Sequence, residues 1–316
     1  MALARVRDYF GPYRLTRLIR SGHSSEVWEA AKEKEATRYA LKIIKPEQRK
    51  NAAEIAALKH EVEVGKQLRH PNVIGIYEYA VEQDTPYLVM ELYSALNLKL
   101  VLRKGIQQVG YLVPKFISQA AEALYHMHDK GFIHCDVKPD NFLVSPTGDV
   151  KLIDFAISRS LKQSMLAGLN PLTWFNKNIQ GTRSYMSPEQ IRGQRLDVRA
   201  DIYSFGCVLF ELVGGKTPYS GNSADDLLRN HISAPIPAAQ AMNNNVTPEF
   251  SNLIQRMMAK RPADRPPSMW EFLKDFRGVR VFKQVPKPPA ELNLRLEDFE
   301  DKSTLLRKPK KGEGEA

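Results

Sequence analysis

The sequence predicts an α+β fold in two lobes, a small antiparallel sheet with one main helix followed by a larger, mainly helical lobe. Three observations carry this. Residues 13–90 are rich in short alternating apolar runs, the pattern of half-buried strands. From residue 95 onward apolar residues recur mostly at helical spacing. Between the two, the composition shifts after Glu91-Leu92-Tyr93-Ser94. At 316 residues the chain is too long for most single cores and comfortable for such a two-lobed unit.

Residues 1–12 read as a leader, charged and without the apolar stretch of a secretion signal. Tyr13 to Ile19 alternates, passes through the polar turn Arg20-Ser21-Gly22-His23-Ser24-Ser25, and returns in Glu26-Val27-Trp28-Glu29-Ala30. Such a hairpin tip can lay backbone N–H groups over an anion, although Gly and Ser also make ordinary turns. The next strand, Thr37 to Ile44, carries Lys42 among apolar neighbours. A lysine on a strand is most often only solvated. Residues 50–69 read as a helix, with Ile55, Leu58, Val62 and Leu68 near helical spacing. Glu61 on that helix is placed to reach back to Lys42 and hold its ammonium toward a phosphate. His70-Pro71-Asn72 ends the helix, because proline restricts the residue before it. Val73 to Glu78 and Tyr87 to Met90 complete the sheet.

In the second lobe, helices are predicted over 95–103, 116–129, the second half of 197–213, 227–231, 250–259 and 268–276. Ile157 to Pro188 has no sustained period, and a loop of that length inside a domain usually serves function. Beyond Gly278 the chain is rich in proline and charge, which predicts a linker and disordered tail over 279–316.

The chemistry concentrates in His134-Cys135-Asp136-Val137-Lys138-Pro139-Asp140-Asn141 and in Ile153-Asp154-Phe155. Oxygen donors at strand ends suit a hard divalent cation, with Asp136 left to manage a proton. The net charge of +10 and pI of about 9.4 come from scattered Lys and Arg, not from a basic run with interleaved aromatics. Nucleic acid is therefore not an expected partner. Two cysteines, Cys135 and Cys207, build no disulfide framework. No apolar run approaches the roughly 18–20 residues of a membrane span. These features predict a cytoplasmic protein with no membrane segment.

Taken together, these residues resemble the eukaryotic-type Ser/Thr protein kinases found in bacteria, over residues 13–276. Ala40-Leu41-Lys42 resembles the lysine strand and Met90-Glu91-Leu92-Tyr93 the gatekeeper and hinge. Gly181-Thr182 and Ser187-Pro188-Glu189 resemble the end of an activation segment, and Asp201 to Gly206 the anchor helix of the C-lobe. Arg265 matches the arginine that pairs with Glu189, a structural ion pair without chemistry. The resemblance implies a bilobal kinase domain over 13–278, with an N-lobe at 13–90, a hinge at 91–94 and a C-lobe at 95–278. It implies catalytic roles for Asp136 and Lys138. Magnesium, with manganese as its substitute, would be held by Asn141 and Asp154. ATP would lie against Ile19, Gly22, Val27, Ala40, Lys42, Glu61, Met90, Glu91, Tyr93 and Leu143, with hinge backbone binding adenine. The implied reaction is transfer of the γ-phosphoryl of ATP to serine or threonine of protein substrates, extending to autophosphorylation. The alternative is a pseudokinase scaffold that keeps the fold with weak or no transfer.

Three departures from the family pattern matter. The glycines of the phosphate loop fall at Arg20, Gly22 and Ser25, so only Gly22 remains, and weaker nucleotide binding is expected. Cys135 replaces an arginine that usually pairs with a phosphorylated activation segment. Activity is therefore expected not to depend strongly on phosphorylation there. Ala156 stands where glycine follows Asp-Phe and is expected to limit flipping of that motif. The apolar cluster Leu169 to Phe175 and the tail are the places expected to take a regulatory partner.

Overall fold

The computed structural model describes residues 9–33, 35–162 and 182–288. The first lobe is a six-stranded antiparallel sheet with one helix. Its strands are β1 (Tyr9–Phe10), β2 (Tyr13–Ser21), β3 (Ser25–Lys32), β4 (Arg38–Ile44), β5 (Ile76–Glu82) and β6 (Thr85–Glu91), in the order β1-β2-β3-β4-β6-β5. The helix α1 (Ala52–Gly65) starts at Asn51, whose side chain accepts from the Ala53 N–H. The β5–β6 hairpin turns through Gln83 and Asp84, both at positive φ, as a tight two-residue turn demands.

Strand alternation divides this lobe in two. Trp28, Leu41, Ile43, Tyr87 and Val89 form one cluster on the outer face of the sheet. Leu88 faces the other way and joins α1 through Leu58, Val62 and Val64. That second cluster continues past the buried Phe155 into the second lobe. At Gly65 a Cβ would collide with the Ile76 side chain, so the glycine lets α1 pack closely onto β5.

The second lobe carries β7 (Leu96–Asn97), α2 (Leu98–Leu102), α3 (Ile106–Val109), α4 (Val113–Asp129), β8 (Phe132–Ile133), β9 (Phe142–Val144), β10 (Val150–Leu152) and β11 (Arg159–Ser160). After these come α5 (Pro188–Ile191), α6 (Arg199–Gly214), α7 (Ala224–Ser233), α8 (Ala239–Met242), α9 (Pro248–Met257) and α10 (Met269–Arg277). The helix α6 is apolar almost all round and forms the centre of this lobe, as that pattern requires. The predicted helices are present, and those expected over 227–231 and 250–259 begin earlier, at Ala224 and Pro248, because the side chains of Ser223 and Thr247 cap them there.

Structure continues beyond residues 13 and 278 on both sides. Residues 9–10, expected in the leader, pair with β2, and Phe10 is buried edge-on against Tyr87 at 5.1 Å. Past Gly278 the chain stays on the lobe as far as Pro286, which lies against Gly110. Val281 and Phe282 are buried, and Thr247 N–H donates to the Val281 carbonyl at 3.0 Å. Two buried apolar side chains suffice to hold a stretch whose composition reads as linker. The 169–175 cluster and Gly181 lie outside the described residues. No described helix is long and apolar enough to cross a membrane.

Candidate active site

The segment 70–75 joins the lobes. Leu152 N–H donates to the Asn72 carbonyl at 2.8 Å, and Ile74 N–H to the Leu152 carbonyl at 3.0 Å. The Asn72 amide also donates to the Val150 carbonyl at 3.0 Å. β10 is thereby fixed under the sheet, and Asp154, two residues beyond its end, is carried to the cleft.

Cross-strand partners share a face, as do residues two apart on one strand. Val27 pairs with Lys42, Ala40 with Met90 and Arg20 with Val27. Arg20, Val27, Ala40, Lys42 and Met90 therefore occupy one face of the sheet, the one toward α1. Lys42 Nζ reaches Glu61 Oε2 at 2.6 Å and Asp154 Oδ1 at 3.4 Å. Burial works against the ammonium, but the Asp154 and Glu61 carboxylates outweigh it and hold the Lys42 pKa above its ordinary value. Burial likewise opposes ionisation of Asp154, and Lys42 and Lys138, with a smaller contribution from Arg20, hold its carboxyl well below the usual range. Arg20, at the position of a missing loop glycine, thus adds positive charge to the cleft.

The second group lies below. Lys138 Nζ donates to Asp136 Oδ2 at 2.7 Å. The Asn141 amide donates to the same oxygen at 3.1 Å and to the Asp136 carbonyl at 2.8 Å. Asp136 Oδ1 is buried and has no hydrogen-bond partner among the described residues. Burial pushes the Asp136 carboxyl up from its ordinary value, with Lys138 opposing and Asp154 adding to the rise. His134 Nε2 donates to the Ile153 carbonyl at 3.1 Å and its Nδ1 accepts from Asp136 N–H at 3.2 Å, which ties the two acids together.

Buried Asp201 on α6 holds this loop. Its carboxylate accepts from the backbone N–H of His134 at 2.7 Å and of Cys135 at 2.9 Å, and from His128 Nε2 at 2.8 Å. Cys135 and Asp154 both sit at positive φ, +67° and +68°. That region costs a non-glycine residue free energy, and fixed hydrogen bonds such as these are what sustain it. Ala156 is not among the positive-φ residues, so its methyl group fits this conformation without strain. The sequence signal for Asp201 is an acid inside an apolar helix. His128 and His60, which also touch the site's framework, carry no such signal.

The other residues expected to contact nucleotide lie outside these two groups. Ile19 sits at an irregularity of β2 and is 43% exposed. Val27, Met90 and Leu143 are half-buried and Ala40 is buried. The Glu91 carboxylate pairs with Lys151 at 2.9 Å and accepts from Gly75 N–H at 3.0 Å, so its side chain is already engaged. The Tyr93 hydroxyl donates to the Asp149 carbonyl at 3.2 Å. Gly22 N–H donates to the Ser25 carbonyl at 2.8 Å, and a Cβ at Gly22 would come 3.2 Å from that oxygen. The turn is therefore tight at Gly22, while Ser25 keeps a side chain where glycine would let a phosphate approach. Ser25→Gly is expected to tighten ATP binding about threefold, the worth of one added backbone hydrogen bond. A nucleotide titration that gives equal affinities would reject this.

For a metal, the donor set is oxygen. Asn141 spends its amide N–H groups on Asp136, which keeps its carbonyl oxygen for a cation, and Asp154 stays ionised. No described cluster of three or more His, Cys, Asp or Glu side chains suits a metal. Two protein oxygens fit an ion that takes its other ligands from phosphates and water.

Residues 13–275 match the protein kinase domain family. The chain belongs to the protein kinase domain family. It is 32% identical over 283 residues to the Ser/Thr-protein kinase PknA of Mycobacterium tuberculosis, which covers 88% of this chain and 63% of that protein. It is 33% identical over 266 residues to PknH of the same organism, covering 83% of this chain and 41% of that protein. The chain thus spans under two thirds of these relatives. The crystal structure of a mutant form of the M. tuberculosis PknI kinase domain superposes with a TM-score of 0.65 at 22% identity, over 88% of this chain and 99% of that one, which shows the shared fold. Membership in the kinase family implies use of ATP and a divalent cation.

Proposed function

We propose that the chain is a Mg2+-dependent Ser/Thr protein kinase. The observation that carries this reading is the connected set of Lys42 between Glu61 and Asp154, with Lys138 and Asn141 converging on Asp136. The chemistry needs little beyond position and charge. Lys42, aimed by Glu61, binds α- and β-phosphate oxygens. Lys138 offsets charge on the transferring group. Asp136 Oδ1 accepts the hydroxyl proton as the substrate oxygen bonds to phosphorus and ADP leaves. Its place is fixed, because the other carboxylate oxygen is occupied by Lys138 and Asn141. Asn141 and Asp154 would hold magnesium, which neutralises phosphate charge when bound. Relatives named Ser/Thr-protein kinase, and the Asp136-Val137-Lys138 order, support serine and threonine as acceptors.

Incubation with γ-labelled ATP and a generic acceptor protein should give labelled phosphoserine or phosphothreonine, and chelation of divalent metal should abolish it. Nucleotide binding without any incorporation would overturn the reading in favour of a scaffold.

A further inference from the structure

We propose that His60 is a positioning residue, whose imidazole N–H clips α1 to the chain just past Asp154-Phe155 without any phosphate. The inference rests on the kinase reading above. His60 Nε2 lies 2.8 Å from the Ser158 carbonyl and 3.2 Å from Ser158 Oγ. Ser158 Oγ spends its own hydrogen on the Phe155 carbonyl at 2.7 Å. Both Ser158 oxygens therefore accept from His60, and Nε2 carries the proton. That donor is present in the neutral Nε2–H tautomer and in the imidazolium alike.

The acceptor side is rigid. Ser158 is buried, and its N–H also returns to the Phe155 carbonyl at 3.1 Å, so residues 155–158 form a closed turn. His60 precedes Glu61 on α1. One turn of helix is then pinned twice, by Glu61 to Lys42 on the sheet and by His60 to the start of the segment. Moving α1 outward breaks both contacts together.

Cys135 makes this clip matter. Its side chain is buried in a small apolar cluster with Ile133, Leu196 and Ala200. Position 135 thus offers no charge to a phosphate. Beside the backbone hydrogen bond that Glu61 takes from Phe155, the His60 bond gives α1 a second direct link to the segment, already present in the unmodified chain.

The test uses the full chain after phosphatase treatment, with His60→Ala and His60→Gln. His60→Ala should lower kcat about three- to tenfold, the factor set by one hydrogen bond, with KM for the acceptor protein unchanged. Amide hydrogen exchange should quicken in 52–65 and 155–160 and stay unchanged in 199–214. His60→Gln, which keeps a donor at similar reach, should restore most of both. Unchanged kcat and exchange in His60→Ala would overturn the proposal. So would equal losses in the two variants with a matching fall in Tm, since that marks a packing role. Should the wild type transfer no phosphate, the kinase reading fails, and the exchange data alone still decide the clip.

Discussion

Asp136→Asn should keep its fold and its nucleotide while losing phosphoryl transfer by about 10²- to 10⁴-fold, the range of a positioned general base. The substitution keeps the size of the side chain and an oxygen for Lys138 and Asn141, but removes the basic carboxylate. Stability should not fall with activity. Burial raises the folded-state pKa of Asp136, so the ionised form is disfavoured in the fold. The sign follows from linkage. A carboxyl whose folded pKa is raised withdraws stability as pH climbs from its unfolded pKa through its folded one, and above the folded pKa that cost is fully present. The amide carries no such cost. Label transfer and thermal melting measured side by side check both halves. Transfer within about threefold of wild type, less than a general base supplies, would remove Asp136 from the proposed role. A large fall in Tm would show that its charge is structural. The pH profile gives a third reading. The acid limb of kcat/KM in the wild type should lie above the range of an ordinary exposed carboxylate, and the variant should lack it.

Where the sequence was legible, the reason is local chemistry at a fixed spacing. Lys42 on a strand and Glu61 on the next helix pair from the sequence alone, because the order of elements places both beside one cleft. Asp136, Lys138 and Asn141 lie within a few residues of one another, and their contacts follow from a single turn of chain. Other features needed the fold. The His60–Ser158 bond spans 98 residues and depends on the turn closed by Phe155 and Ser158, which no pattern of residue types encodes. Helices of four residues, such as 106–109 and 239–242, are too short to express a period. Strands β7 and β11 are two residues each and exist because neighbours pair with them. Residues 279–288 read as linker from their lysines and prolines, yet Val281 and Phe282 are enough to anchor them. Ala156 is a similar case. A missing glycine strains the backbone only where φ is positive, and in this motif the positive φ belongs to Asp154.

Arg265→Ala should be more destabilising than any of the changes above, with no direct part in chemistry. The Arg265 guanidinium is fully buried and forks onto Glu189 at 2.6 and 2.9 Å. It also donates to the carbonyls of Ala259 at 2.7 Å, Arg199 at 2.8 Å and Lys260 at 3.2 Å, and lies 4.9 Å from the Tyr203 ring centroid. Truncation strands a buried Glu189 carboxylate and leaves these three carbonyls without this donor. Breaking one side of a buried pair costs about 3–5 kcal/mol, which for a domain of this size lowers Tm by roughly 6–20 °C. Arg265→Lys should recover little, because an ammonium cannot reproduce the planar fork that serves Glu189 and the backbone together. Replacing both charges by apolar side chains of similar volume, as in Glu189→Leu with Arg265→Met, should be milder than Arg265→Ala alone, since no charge is then left buried without a partner. Thermal melts of the three proteins order these costs. An Arg265→Ala melt within about 2 °C of wild type, under 1 kcal/mol at this size, would mean that water reaches Glu189 when the arginine is gone. The pair would then be a surface contact in energetic terms. The ion pair bears on function through Gln190, next to Glu189 on α5, whose amide donates to the Cys135 carbonyl at 2.9 Å. Loosening α5 therefore reaches the loop that carries Asp136, and transfer should decline at temperatures where the helix detaches, before the global melt.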